Sequence, residues 1–233
     1  MTDRSVRTAR RPQGRRHGDL APTSDSPGHV ATPRGPNAER HQRSRAALLR
    51  AARKVFARDG FAAARTSDVV DSAVLTRGAL YYHFPDKLAL FDAVVEEVAK
   101  EIAARIEAAA QPAPTALMKL RRGCEEWIDA MDDPPLRRLY LVDGMAALGV
   151  RRWREIDMAY GGNSLRGGVE TVLAEHGDHA LEVEPLVALL SGALNEAALW
   201  VAEAQDGRAA RNAIRASLDV LLTRLFKPSG HPK

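Results

Sequence analysis

Three features of this sequence predict an all-α fold. Apolar residues recur at spacings of three and four from residue 48 to residue 225, and no stretch alternates as a half-buried strand does. Gly, Pro, Ser, Thr and Asp fall between those stripes, where helices start and stop. Hydrophobic residues make up 45% of the 233-residue chain, ordinary for a soluble globular protein and enough for one domain or two small ones.

The elements follow in order. Leu48, Ala51, Ala52, Val55 and Phe56 share one stripe and predict a helix over residues 38–59. Gly60 is expected to end it as a left-handed cap, with Phe61 as the hydrophobic contact. A second helix starts at Thr66 or Ser67, whose hydroxyl suits a cap, and buries Val69, Val70 and Ala73. Val74-Leu75 is a turn and Thr76 a new cap. Leu80 and Phe84 mark the inner face of a third helix. Pro85-Asp86 then opens a long helix whose stripe is Phe91, Val94, Val95, Val98, Ile102 and Ile106.

The third helix has an unusual outer face. Gly78 and Ala79 are small, so its backbone can approach a partner closely. Arg77 can read guanine edges, and Tyr81, Tyr82 and His83 can donate to phosphate. Two short helices joined by a tight turn, with such a second helix, form a helix-turn-helix whose second helix lies in a DNA major groove. Residues 45–98 resemble the DNA-binding domain of the tetracycline-repressor (TetR) family. The resemblance rests on Val55-Phe56, Gly60-Phe61, Thr66, Asp68-Val69, Ala73, the run Thr76 to Phe84, and Lys87. It implies DNA contacts from Arg45, Thr66, Ser67, Thr76, Arg77, Gly78, Ala79, Tyr81, Tyr82, His83 and Lys87. Val74 stands where the family has Gly, and Val70 where it has Ala. A β-branched residue is costly at positive φ, so a rearranged turn is expected there. The segments around residues 137–157 and 191–206 resemble, more loosely, the helical C-terminal domain of an actinobacterial-type branch of the family. A homodimer on a palindromic operator and an unidentified small effector are what the resemblance implies.

Charge divides the chain. Residues 1–36 carry +4, residues 37–90 carry +5 and residues 91–233 carry −5, for a net +4. That is the footprint of a DNA-binding head on a body that avoids DNA. The expected organisation is a disordered basic tail at 1–36, the DNA-binding domain at 37–90, a regulatory and dimerisation domain at 91–226, and a disordered C-terminus at 227–233. The tail is either inert or, through Arg10, Arg11, Arg15 and Arg16, a source of phosphate contacts. No apolar run is expected to approach the ~20 residues that span a bilayer, so no membrane partner is expected. A single cysteine, Cys124, fits a reducing cytoplasm.

The body reads as helices throughout. Leu117 to Met131 is one, Leu136 to Leu148 the next, ended near Gly149. Trp153 to Leu173 follows, interrupted at Gly161-Gly162. Helices from about residue 184 to 205 and 208 to 226 complete it. Ser191, Gly192, Ala193, Ala197 and Ala198 permit close helix approach, and the last helix has leucines with little to cover them, which suits a two-fold interface. Trp127, Met131, Tyr140, Met145, Trp153, Tyr160 and Trp200 either line an apolar pocket or fill the core. Asn195 and Glu196 sit in an apolar helix and need partners, which a ligand, Arg154 or Arg138 would supply. His176-Gly177-Asp178-His179 has ordinary loop composition and no companion ligands, so no metal is expected. With no phosphate-binding Gly loop, nucleophile elbow or paired Cys motif, no cofactor and no enzymatic chemistry are expected. Three readings remain open: a repressor released by a ligand, a ligand-independent DNA binder, and an all-α enzyme or carrier.

Overall fold

The computed structural model describes residues 36–176 and 181–226, with the side chains of Pro36 and His176 left aside. The basic tail up to residue 35, residues 177–180, which include Gly177, Asp178 and His179, and residues 227–233 lie outside the described residues. Every described element is helical.

The head is built from α1 (Pro36–Ala63), α2 (Thr66–Ala73), α3 (Arg77–His83) and the start of α4 (Lys87–Ala110). Leu48, Ala52 and Phe56 of α1, Val69 of α2, Leu80 of α3 and Leu90 and Phe91 of α4 close its core. The Phe91 ring lies 5.0 Å from Phe56 and 4.8 Å from Phe61. Gly60 has φ 78° and ψ 164°, so the chain bends there and resumes as helix through Ala63 rather than ending in a left-handed cap. That positive φ is strained for any residue with a Cβ, which suits glycine, and the Arg138 guanidinium packs where a Gly60 Cβ would sit.

The body begins with the rest of α4 and continues through α5 (Ala116–Met131), α6 (Pro134–Arg137), a π-helical turn (Arg138–Val142), α7 (Asp143–Ala159), α8 (Gly161–His176), α9 (Val183–Glu203) and α10 (Gly207–Leu225). α5 is central and packs on α4, α8, α9 and α10. Arg121–Asp219, Arg215–Asp129 and Arg211–Asp132 ion pairs tie it and its C-terminal end to α10. The expected single helix from Leu136 to Leu148 is instead α6, the π turn and the first part of α7, which bends at Gly149 (φ 77°). The π turn has a local cause. The Trp153 indole N–H donates to the Tyr140 carbonyl at 2.8 Å, and Gly144 leaves room for that ring. π turns are rare and occur mostly as single turns within longer helices, as here.

Three smaller expectations change. Arg65, not Thr66 or Ser67, is the N-cap of α2, and it gives no side-chain cap. Asp86 caps α4 by accepting from Ala89 N at 2.7 Å, which leaves Pro85 just outside the helix. α9 is 21 residues long with a mean hydropathy of 1.4, so by length and composition an apolar run does reach what a bilayer crossing needs. Leu186, Val187, Leu190, Leu194 and Ala198 of α9 are buried against the bundle.

Candidate DNA-contacting face and body cavity

The turn before α3 is regular, not rearranged. Val74 sits in the left-handed region at φ 54° and ψ 46°, and Leu75 N donates to Val70 O at 3.0 Å to close α2. Its side chain is 89% exposed. Thr76 then caps α3, accepting from Ala79 N at 3.1 Å. This cap aims the first turn of α3, with exposed Arg77 and Gly78 and half-buried Ala79, away from the head core. The Arg77 guanidinium lies 5.6 Å from the Tyr81 ring. The Thr66 hydroxyl and then Arg77 hold the Tyr81 phenol below its ordinary pKa, so Thr66, Arg77 and Tyr81 form one polar cluster. Ser67 and Tyr82 are exposed beside it.

Two of the expected contact residues are engaged inside the head. Lys87 Nζ donates to Ala62 O at 3.1 Å and Ala64 O at 3.0 Å, and lies 4.6 Å from the Phe61 ring. It closes the loop between α1 and α2 and has at most one N–H left for a phosphate. His83 is half-buried, with Nε2 2.7 Å from Ser44 Oγ. Ser44 donates its own proton to His41 O, so His83 donates from Nε2, and its buried Nδ1 has no partner among the described residues. Burial first, then the His41 and Arg45 charges, hold the ring below the ordinary imidazole value. His83 thus fastens α3 to α1 as a neutral ring. Arg45 is exposed on α1, its guanidinium 5.3 Å from the Phe84 ring.

The body holds a cavity of about 340 Å³ between α4, α5, α7, α8 and α9. That is at the small end of the ~300–1,000 Å³ usual for ligand pockets. Among the residues expected to bind a ligand, Trp127 and Asn195 line it. The others do not. Met131, Tyr140 and Trp153 are buried in the solid core, and Met145 packs on that core from its edge. The Tyr160 hydroxyl donates to Glu96 at 2.7 Å on the surface of α4. Glu196 and Trp200 are exposed on α9, Trp200 at 52%. They lie on the other side of that helix from buried Leu194 and Ala198. Nor does Arg138 serve Asn195 or Glu196. It reaches the Arg58 and Asp59 carbonyls of α1 at 3.2 Å each, and Asp143 at 3.6 Å.

Asp157 is the residue that the sequence reading missed. It lines the cavity at 4% exposure, accepting from Tyr140 OH at 2.9 Å and from Ser191 Oγ at 3.4 Å. Burial pushes its carboxyl above the ordinary value, against the opposing hydrogen bonds. Its signal was its place four residues after Trp153, on the buried face of that helix. Gly123, Gly161, Gly162, Gly167 and Gly168 also line the cavity.

Residues 48–94 match the sequence profile described as "Bacterial regulatory proteins, tetR family", and residues 117–225 match "Tetracyclin repressor-like, C-terminal domain". A TetR-family transcriptional regulator from Pectobacterium atrosepticum is 31% identical, covering 84% of this chain and 98% of that one, with a TM-score of 0.67. The chain belongs to the TetR family of transcriptional regulators. The HTH-type transcriptional regulator TtgR of Pseudomonas putida is 35% identical over 60 residues. That match spans 26% of this chain and only 29% of TtgR. FadR from Bacillus subtilis, solved in complex with stearoyl-CoA, shares the fold at 20% identity, with a TM-score of 0.63 over 80% of this chain and 99% of that one. As in other TetR-family proteins, the helix-turn-helix (here α2 and α3) makes the chain a DNA-binding regulator of transcription, with no enzymatic role. None of these matches singles out an actinobacterial branch.

Proposed function

We propose that this TetR-family protein is a homodimeric repressor that binds a palindromic operator through α3 and leaves it when a small, largely apolar effector enters the body cavity. The observation that carries the proposal is the cavity itself, because one of its walls belongs to the helix that also anchors the head. Leu90 and Phe91 of α4 are head core, while Ile106, Glu107 and Ala110 of the same helix line the cavity. Those positions are about 24 Å apart along one rigid rod. A ligand that fits only one position of the α4 end shifts the head with it. Coupling of ~1–3 kcal/mol already changes operator affinity several-fold to a hundred-fold.

A second bridge supports the reading. Arg138, the first residue of the π turn, and Asp143, just after it, grip the bend in α1, where Asp143 Oδ2 accepts from Phe61 N at 2.8 Å. Tyr140, inside that turn, is hydrogen-bonded to Asp157 on the cavity wall. The cavity therefore reaches the head by two routes.

For the dimer, the support is an apolar outer face on α9 and α10. Leu189, Trp200, Val220 and Leu221 are 72%, 52%, 50% and 48% exposed. Two copies meeting there would place two α3 helices for half-sites about one helical turn apart. Arg77 reads bases in this arrangement; Arg45, Thr66, Ser67, Tyr81 and Tyr82 hold the backbone; Thr76, His83 and Lys87 position them. The double-stranded operator, the second copy and the effector are its partners, its place the cytoplasm, with no membrane partner.

The test is operator binding by fluorescence anisotropy across a small-molecule library, with Gly167→Leu as control. Gly167 lines the cavity and is itself exposed, and a Cβ there meets nothing within 4 Å, so a leucine fits at the cavity mouth without displacing its neighbours. The expected effector releases the wild-type protein and fails on the variant. An effector that releases both equally acts elsewhere, and the proposal falls.

A further inference from the structure

We infer that the cavity takes an organic cation: a compact, mostly apolar molecule whose protonated amine or amidine donates to the Asp157 carboxylate. The inference rests on the effector reading above and names the chemistry of that same site.

Asp157 is the starting point. A buried carboxylate is costly without a countercharge. Among the described residues no Lys or Arg lies within ion-pair distance of it, and its direct partners are the neutral Tyr140 and Ser191 hydroxyls. An ionised carboxylate offers about four acceptor sites, of which those hydroxyls take one each. The remaining acceptor capacity and the uncompensated charge both lie on a cavity wall. The nearest help from the protein is the more distant field of Arg154. Burial therefore opposes ionisation of Asp157 in the empty cavity, and a bound cation would reverse that preference.

The rest of the lining agrees. Lys119 and Glu107 stand exposed on the rim and cancel, which leaves Asp157 to set the sign of the interior. Trp127 supplies an aromatic wall, favourable to a cation. Its buried Nε1–H has no acceptor among the described residues, which leaves it available to an oxygen or nitrogen acceptor on a ligand. Half-buried Asn195, also without a side-chain hydrogen bond among the described residues, answers either kind of group. Leu120, Ile106 and Leu194 hold the apolar part. A carboxylate ligand of the same shape would meet Asp157 charge to charge.

The experiment uses the full chain and three probes of one shape: phenylbutylamine, phenylbutanol and phenylbutyrate. Isothermal titration and thermal shift are read for each on the wild-type protein, Asp157→Asn and Gly167→Leu. Asn keeps an acceptor for Tyr140 and a donor for Ser191 while removing the charge. The expected result is that the amine binds at least about tenfold tighter than the alcohol, with the carboxylate weakest. Asp157→Asn should bring the amine to the alcohol's level without changing the alcohol. The wild-type ranking decides even if that variant does not fold. If the alcohol or the carboxylate matches the amine and Gly167→Leu blocks it, the cation assignment is wrong while the cavity remains an effector site. Failure of all three probes to bind overturns both.

Discussion

Val74→Gly should stabilise this protein although it removes a side chain. Val74 holds φ 54° and ψ 46°, a region where a residue with a Cβ pays roughly 1–2 kcal/mol. β-Branching puts Val at the upper end. The side chain is 89% exposed, so its loss costs almost no burial. Against the gain stands the extra freedom of Gly in the unfolded chain, about 0.4–1 kcal/mol. The balance is a stabilisation of about 1 kcal/mol, or roughly 2–4 °C in Tm for a chain of this size. Urea unfolding followed by circular dichroism, at one fixed protein concentration, measures it, since a dimer's stability depends on concentration. Val74→Ala is the control: it keeps the Cβ and should gain far less. A Val74→Gly midpoint at or below wild type would refute the reasoning, and would mean the turn is held by something other than the glycine-like conformation seen here.

Other substitutions test other parts. Lys87→Ala leaves the Ala62 and Ala64 carbonyls without their donor, so it should lower head stability by about 1–3 kcal/mol, and change the salt slope of DNA binding by less than one phosphate contact; a full unit of slope with unchanged stability would return Lys87 to the DNA. Leu221→Glu, on the exposed α10 face, should give monomers by sedimentation that bind operator poorly; a variant that stays dimeric moves the interface elsewhere. The pH dependence of stability should differ between wild type and Asp157→Asn. The folded Asp157 carboxyl lies above its ordinary 3.8, so the folded chain holds the proton where the unfolded chain has lost it. That contribution is full below 3.8 and is lost as pH rises from there through the folded value. Wild type minus Asp157→Asn stability should therefore fall as pH rises through that window; a difference that rises would mean Asp157 is ionised and paired.

The head was legible in the sequence because each of its residues does one local job. Thr76 caps, Gly60 bends the chain, and Leu80 and Phe84 point inward at helical spacing. The local misses there were details of helix ends, at Gly60, Arg65 and Val74, and the long-range partners were hidden: nothing in the order of residues places Ser44 beside His83, or Arg138 beside Gly60. The body was legible as helices and illegible as a site. Aromatic residues mark apolar volume, and volume is filled as readily by core as by ligand, so Tyr140, Met131 and Trp153 went to the core. Trp200 illustrates the other limit, since an apolar face looks the same in sequence whether it meets its own bundle or a second copy. The paired glycines at 161–162 and 167–168, which line the cavity, were the available sign of it inside a helical pattern.

The central claim is that paired α3 helices read a two-fold DNA site. Selection of random duplex DNA by the full chain, followed by footprinting and by the same selection with Arg77→Ala, tests it most directly. An inverted repeat with half-sites centred about one helical turn apart should be enriched and protected as one unit. Arg77→Ala should cost ~1–3 kcal/mol on that site and much less on random DNA. Enrichment of no sequence, or of a single unpaired half-site bound equally well by Arg77→Ala, would contradict it.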